Sequence, residues 1–347
     1  MQSRANGIDA RRAKPGTHQS LRATLPLKMP TPSAAQPFAP PITSEALPRP
    51  ASQTPAWLGP FFELAQNCPP IARALKPAAC ALAPLVAPAA ARAISKNALR
   101  IFGRELAPAE QLQFTRRVFA SFYEFILDLG RATSMTPCQI AAQVGHVEGL
   151  EAYRAARARR RGAVLVTAHL GTFEAGLAAL VREERTVRVV FKRDSVGEFE
   201  QMRSRLHHLL GVIETPIDDG IDTWLGLRDA LLRDEVIVMQ GDRAMPGQKS
   251  QVLPFLHGHL RLPTGPARLA QLTGAPIIPV FAIKDAPHQP VKVLLKQPIE
   301  PDTPDTPAAN SAMNGLADAL AQTIAHHAHQ WLALEPMFHE DRPDATQ

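Results

Sequence analysis

The chain has 347 residues, of which 45% are hydrophobic and 20% charged, so most of it can bury a core and it is not a mainly disordered or fibrous protein. Its three cysteines form no C-x-x-C pair, which argues against a disulfide framework and a cysteine-ligated zinc site. The net charge is +6, but residues 1–50 hold seven Lys or Arg against two acidic residues, so +5 lies there and +1 remains for the rest. The sequence gives little reason to expect nucleic-acid binding, because only 5% of the residues are aromatic and no zinc-finger, RRM or KH pattern is present.

Residues 1–55 are predicted to form a disordered, basic, proline-rich tail. The first fifty positions contain nine prolines and show no sustained periodicity, so this segment lacks the apolar surface needed for a core. A transit peptide or a start codon placed too early would also explain it, whereas no apolar run follows that would indicate a secretory signal.

Residues 56–150 are predicted to form a helical segment, and association with a membrane is one interpretation of it. Its longest uncharged stretch, 77–91, contains three prolines and is shorter than the roughly 18 to 20 residues that span a bilayer, so no transmembrane helix is expected. Between residues 110 and 129, large apolar residues recur every three or four positions, which indicates an amphipathic helix. Packing on the core is the first interpretation of that apolar stripe, and contact with lipid or an acyl chain is the alternative.

Residues 151–335 are predicted to form an α/β domain, followed by a tail over 336–347. Short β-rich runs alternate with helical patterns, which is typical of a mixed, largely buried sheet flanked by helices. The predicted strands are 163–168, 186–191, 236–240, 277–283 and 291–295. The predicted helices are 173–181, 199–210, 221–233, 266–272 and 311–334.

The most informative segment is 164–174, Val-Leu-Val-Thr-Ala-His-Leu-Gly-Thr-Phe-Glu. A buried strand leads to His169 on a turn, and Glu174 opens the next helix. A histidine followed by a carboxylate suits a general base and the group that orients it, and α/β folds place their sites at the carboxyl ends of strands. Taken alone, the H-x4-E pattern is weak, because a capping Glu beside an incidental His is common.

A second strand leads into a polar turn at 241–247, Gly-Asp-Arg-Ala-Met-Pro-Gly, followed by the blocks 263–270 and 273–281. Together with the His-Leu-Gly-Thr-Phe-Glu block, these resemble the ordered motifs of the bacterial lipid A biosynthesis (late) acyltransferases, the lauroyl and myristoyl transferases within the glycerolipid acyltransferase superfamily. The order and spacing agree over about residues 110–335, two thirds of the chain.

The resemblance implies O-acyl transfer from an acyl thioester to a hydroxyl of a lipid or glycolipid acceptor that is similar to a lipid A precursor. The expected donor is acyl carrier protein, or CoA, with no further cofactor and no metal. The expected location is peripheral, on the cytoplasmic side of the cell inner membrane, with no nucleic-acid partner. Because a hydroxyl is a poor nucleophile at neutral pH, a base is needed, and His169 oriented by Glu174 would supply it.

The resemblance also implies two substrate-binding residues, and a departure from the family pattern suggests a third. A functional arginine on the helix between the two motifs corresponds to Arg205, with Arg203 as the rival, and the aspartate of the second motif corresponds to Asp242. Arg243 stands where the family commonly has Gln and is a candidate anion contact. The alternative interpretation is a solvated helix face for either helix arginine, a turn-forming role for Asp242 and pairing with a surface carboxylate for Arg243.

Two departures leave the acceptor open. Thr172 and Phe173 stand where the family commonly has Asn-Trp, and the usual N-terminal membrane helix is not apparent. An acyltransferase for another acceptor, such as an ornithine lipid, a polyene pigment head group or another glycolipid, is therefore an alternative, as is a non-catalytic lipid-binding protein.

Overall fold

The protein is described by a computed structural model over residues 58–193, 197–217, 220–245, 247–286, 289–302 and 311–342. The tail predicted over residues 1–55 lies outside the described residues. The helices are α1 (Leu58–Asn67), α2 (Pro69–Val86), α3 (Pro88–Phe102), α4 (Pro108–Ala132), α5 (Pro137–Ala141), α6 (Leu150–Arg157), α7 (Phe173–Glu183), α8 (Gly197–Leu210), α9 (Ile221–Leu232), α10 (Gly265–Thr273) and α11 (Ser311–His326). The strands are β1 (Val144–Glu148), β2 (Ala163–Thr167), β3 (Val187–Phe191), β4 (Ile213–Pro216), β5 (Val236–Gln240), β6 (Ser250–Phe255), β7 (Gly258–Pro263), β8 (Ile277–Ile283) and β9 (Val291–Leu295).

Seven strands form one sheet in the order β1-β9-β8-β2-β5-β3-β4, and β6 and β7 form a separate antiparallel hairpin. Every neighbouring pair in the large sheet is parallel except β8 and β9, so the sheet is mixed. The predicted α/β class with a mixed sheet flanked by helices is thereby confirmed.

Side chains of the central strands alternate between two hydrophobic clusters, one on each face of the sheet. In β2, Val164 and Val166 face the cluster that contains α3, α9, α10 and α11, whereas Ala163 and Leu165 face the cluster that contains α5 to α8. Helix α4 contributes residues to both clusters. The period of two in a strand explains this arrangement, and burial on both faces explains the nearly continuous apolar sequence of β2.

Each of the five predicted strands is present, with bounds within one residue of the prediction. Strands β1, β4, β6 and β7 were not predicted, because they are short or carry polar residues at exposed positions. Strand β1 pairs with β9 and so belongs to the sheet, although it precedes the domain boundary placed at residue 151.

The end of the chain differs from the prediction in two ways. Helix α11 ends at His326 instead of residue 334, because the chain continues as a short 3-10 helix, Ala328–Gln330, and Trp331 then pairs its backbone with the loop after β2. The tail predicted from residue 336 is packed at its start, where Met337 and Phe338 are fully buried.

The N-terminal helices leave an apolar stripe uncovered. Ile71, Leu75, Leu82, Leu85 and Val86 on α2 are all exposed. Within the described residues, no single helix has the length and apolar composition to cross a bilayer. Helices α2 and α3 meet that criterion only when they are taken together, and the pair bends by 89°.

Candidate active site

Two neighbouring parallel strands bring His169 and Asp242 together. In the register of β2 and β5, Thr167 lies opposite Gln240, and each site residue comes two positions later. His169 Nδ1 lies 2.7 Å from Asp242 Oδ1. The His169 side chain is 31% exposed and that of Asp242 is fully buried, so the imidazole is reachable from outside and its carboxylate partner is not.

The surroundings of Asp242 keep it ionised. Burial alone would raise its pKa, but the charge and hydrogen bond of His169, the Arg243 guanidinium and the Trp331 indole hold the pKa well below its usual range. The Trp331 indole donates from Nε1 to Asp242 Oδ2 at 2.8 Å. Because an ionised carboxylate only accepts hydrogen bonds, Nδ1 of His169 carries the hydrogen and Nε2 is left as a base.

The contact predicted between Glu174 and His169 is not formed among the described residues. Within the described residues, no hydrogen bond joins the two side chains, because the first turn of α7 places Glu174 in a buried position while Nδ1 of His169 faces Asp242. Glu174 Oε2 is buried and has no hydrogen-bond partner among these residues. Burial raises the pKa of Glu174 to about 7, with a further contribution from the nearby Asp128 carboxylate.

The loop that carries His169 is fixed by its backbone. Gly171 has φ +73, and a Cβ there would lie 2.0 Å from the Ala282 carbonyl oxygen, so this position requires glycine. Thr172 N donates to that same oxygen at 2.7 Å, and Leu332 N donates to the His169 carbonyl at 2.8 Å. The loop is therefore held by β8 on one side and by the segment after α11 on the other.

His169 and Glu174 both line a large open cavity of about 720 Å³ at this edge of the sheet. Its volume is typical of sites that hold small molecules or cofactors. The charged side chains that line it are mainly cationic, namely Lys192, Arg193, Arg203 and Arg243, against Glu174 and Glu335. Such a lining favours a substrate that carries negative charge.

The helix arginine that lines the cavity is Arg203, the rival of the predicted Arg205. The Arg203 guanidinium lies 4.1 Å from the ring centroid of Phe191, a cation–π contact. Arg205 is exposed and lies outside the described residues that line the cavity. Two residues along a helix correspond to a rotation of about 200°, so only one of the two arginines can face the cavity.

Arg243 lines the cavity and also ties the turn after β5 to the end of the chain. Its guanidinium donates to Glu335 Oε1 at 3.2 Å and to the Leu332 carbonyl at 3.3 Å, and lies 3.8 Å from Asp242 Oδ2. The guanidinium that was predicted to contact an anion therefore also has a structural role.

An apolar cleft lies beside the cavity, between α7 and the sheet. Phe173 and Val238 line both spaces, and further lining residues of the cleft are Leu165, Gly176, Leu177, Val280 and Val293. This arrangement places an apolar space next to the cavity that His169 lines.

Prediction from sequence missed Lys192 and Arg193 in the cavity lining. A signal was present, since both cations directly follow the predicted strand that became β3. Parallel strands end at the same edge of a sheet, so charged residues just beyond each strand are expected to meet there.

Comparison with known proteins shows the family of the chain. A family model for bacterial lipid A biosynthesis acyltransferases matches residues 47–340. A phosphatidylinositol mannoside acyltransferase of Mycobacterium tuberculosis (strain CDC 1551 / Oshkosh) is 27% identical over 65% of this chain and 71% of its own length. The protein of the same description from strain ATCC 25618 / H37Rv is 26% identical over the same shares.

Proposed function

Because the chain belongs to the bacterial lipid A biosynthesis acyltransferase family, we propose that it moves a fatty acyl group from an acyl thioester to a hydroxyl of a lipid or glycolipid acceptor. The observation that carries this proposal is the 2.7 Å contact between His169 and Asp242 at the wall of the large cavity. This arrangement suits the deprotonation of an alcohol, because the base is oriented by a carboxylate and faces a cavity large enough for a substrate.

In the proposed reaction, Nε2 of His169 takes the proton of the acceptor hydroxyl as its oxygen attacks the thioester carbonyl carbon. Asp242 stabilises the imidazolium that forms. The resulting tetrahedral intermediate collapses when the carbon–sulfur bond breaks, and the imidazolium returns its proton to the leaving thiolate. The products are an ester and a free thiol, and His169 is regenerated without a covalent enzyme intermediate.

The cationic cavity lining supports an acceptor that carries an anionic group. Lys192, Arg193 and Arg203 lie along the same cavity as His169, where a phosphate next to a sugar would find charge-assisted hydrogen bonds. The relatives are described as phosphatidylinositol mannoside acyltransferases, and that acceptor also joins a phosphate to a sugar. We therefore propose a phosphorylated glycolipid acceptor, such as a lipid A precursor, with acyl carrier protein as the donor.

The apolar cleft beside Phe173 is the proposed site of the acyl chain. Its lining side chains are almost entirely apolar, and it shares Phe173 and Val238 with the cavity that contains His169. A thioester carbon next to His169 could therefore extend its hydrocarbon chain into the cleft, where burial of each methylene contributes about 0.8 kcal/mol.

We propose a peripheral position on the cytoplasmic side of the inner membrane, and the exposed stripe on α2 supports contact with a membrane surface. Leu85 and Val86 are 78% and 81% exposed at the end of α2, next to its bend with α3. An exposed row of large apolar residues on one helix is typical of a surface that meets lipid or a partner protein.

The test combines a deletion strain with the purified enzyme. The lipid that accumulates in the deletion strain is identified by mass spectrometry and incubated with acyl carrier protein loaded with a fatty acyl group. Wild-type enzyme is expected to acylate this lipid and release the thiol, whereas His169→Gln is expected to be inactive. His208→Gln is the matched control, because His208 is exposed on α8 and lies outside the described residues that line the cavity. Full turnover by His169→Gln would refute the assignment.

A further inference from the structure

We propose that Trp331 is a positioning residue of the active site, whose indole N–H fixes the carboxylate of Asp242 in the orientation that holds His169. The proposal rests on the function proposed above. Trp331 belongs to the segment after α11 and lies 89 positions beyond Asp242 in the chain. The indole does not line the large cavity or the apolar cleft, so it would act through Asp242 and not on the substrate.

The hydrogen bonds of Asp242 are divided between its two partners. Oδ1 accepts from His169 at 2.7 Å, and Oδ2 accepts from the Trp331 indole at 2.8 Å. Asp242 is fully buried, so water cannot replace either donor. Loss of the indole N–H would leave one oxygen of a buried carboxylate with only the more distant Arg243 guanidinium, at 3.8 Å.

The segment that carries Trp331 also binds the backbone of the catalytic loop. Leu332 N donates to the His169 carbonyl at 2.8 Å, and Gly171 N donates to the Gln330 carbonyl at 3.2 Å. Gln330 is in turn anchored to β8, because its side chain exchanges two hydrogen bonds with the backbone of Lys284. Trp331 and Leu332 therefore bind both members of the His169–Asp242 pair, and Gln330 binds the same loop at Gly171.

Packing alone does not account for a tryptophan at this position. The ring contacts Phe255 and Phe338 in an aromatic cluster in which another apolar ring would fill similar space. What distinguishes tryptophan from phenylalanine is the single N–H donor, which when buried needs a partner, and here that partner is Asp242. The substitution Trp331→Phe therefore removes the donor and keeps an aromatic side chain.

The first measurement uses the ligand-free full-length protein and NMR, and it does not depend on catalysis. In the wild type, the Nδ1–H proton of His169 is expected to be visible and protected from exchange. Trp331→Phe is expected to shift or broaden it, whereas Phe338→Leu, which disturbs the same aromatic cluster without removing a donor, is expected to leave it in place. An unchanged Nδ1–H resonance in Trp331→Phe would overturn the proposal.

The second measurement is steady-state acyl transfer by the same variants. Trp331→Phe is expected to lower kcat about tenfold to a hundredfold with little change in KM for either substrate, since neither contacts the indole. Phe338→Leu is expected to lower Tm without that loss in kcat. Equal kcat values for Trp331→Phe and the wild type would also overturn the proposal.

If Trp331→Phe does not fold, the contact can still be tested in proteins that keep Trp331. The chain contains three tryptophans, so the indole N–H resonance of Trp331 is readily assigned. Asp242→Asn is expected to move this resonance more than any other indole signal, and the absence of such a shift would contradict the proposed contact. Failure of acyl transfer in the wild type would instead refute the proposed function and leave these spectra interpretable.

Discussion

The imidazole of His169 is hydrogen-bonded to Asp242, 73 positions further along the chain. The carboxylate five positions away, Glu174, is buried in the first turn of α7 and makes no such bond within the described residues. The pair therefore depends on the parallel pairing of β2 with β5, and the H-x4-E spacing alone does not produce it.

Asp242→Asn is expected to lower kcat by a factor on the order of 10⁴, as in other histidine–carboxylate pairs. The amide nitrogen of Asn would donate towards Nδ1 and favour the tautomer that carries its hydrogen on Nε2, which cannot act as a base. Stopped assays with the purified variant measure the loss, and circular dichroism checks the fold. A loss below tenfold in a folded variant would contradict the orienting role of Asp242.

Glu174→Gln is expected to flatten the pH dependence of stability. The pKa of Glu174 is raised to about 7 in the folded protein from its ordinary value of 4.5, so the folded state favours the protonated form. The stability that this group contributes is fully present below about pH 4.5 and is lost as the pH rises through about 7. The free energy of unfolding of the variant minus that of the wild type should therefore be about 3 kcal/mol larger at pH 8 than at pH 4.5.

Urea denaturation at pH 5 and pH 8 measures this difference. Glu214→Gln is the control, because the His207 hydrogen bond and charge outweigh burial and lower the pKa of Glu214, so its contribution is lost only below about pH 4.5 and its stability gap should be nearly the same at pH 5 and pH 8. A stability gap between wild type and Glu174→Gln that is the same at both pH values would show that Glu174 is ionised in the folded protein throughout.

Arg203→Gln is expected to raise KM for the acceptor by about tenfold, whereas Arg205→Gln should leave it near the wild-type value. Arg203 lines the cavity and lies over the Phe191 ring, and Arg205 is exposed two positions further on. A lost charge-assisted hydrogen bond is worth about 1.5–3 kcal/mol, which corresponds to this change or more. Steady-state kinetics with varied acceptor concentration measure the KM of both variants. A larger increase in KM for Arg205→Gln than for Arg203→Gln would identify Arg205 as the binding residue.

Gly176→Val is expected to shift the acyl preference towards shorter chains. Gly176 lines the apolar cleft, and an added Cβ would lie 3.1 Å from the Ala282 Cβ, so a valine side chain narrows this space. Gly226→Val is the matched control, since it also lies within a helix but has no atom within 4 Å of an added Cβ. Competition between thioesters of different chain length gives the ratio, and an unchanged ratio in Gly176→Val would place the acyl chain elsewhere.

Leu85→Asp combined with Val86→Asp is expected to weaken binding to vesicles of phosphatidylethanolamine and phosphatidylglycerol by at least about tenfold. Burial of one large aliphatic side chain favours membrane binding by about 1.5–3 kcal/mol, whereas a carboxylate at the same position opposes it. Leu232→Asp is the control, because Leu232 is similarly exposed, at 62%, but lies on α9. Sedimentation with vesicles measures the binding, and equal losses in both proteins would indicate a charge effect without a specific membrane surface.

The sequence by itself determined five strands of the central domain and the family. The strands predicted at 163–168, 236–240 and 277–283 are buried on both faces, so their apolar runs are unambiguous, and the motif blocks that follow them carry the resemblance that the family match confirmed. His169 was identified because it lies on the turn after such a strand, and Asp242 was identified through the resemblance to the family.

Only the tertiary structure decided which of these residues meet. Strand order in a parallel sheet is set by packing across the whole domain, so the sequence did not reveal that β2 and β5 are neighbours and that Asp242, not Glu174, holds His169. The rotation of α8 likewise selected Arg203 over Arg205. The hydrogen bond from Trp331 arises because the chain leaves helix α11 at His326 and returns to the loop after β2, a long-range contact that no local pattern encodes.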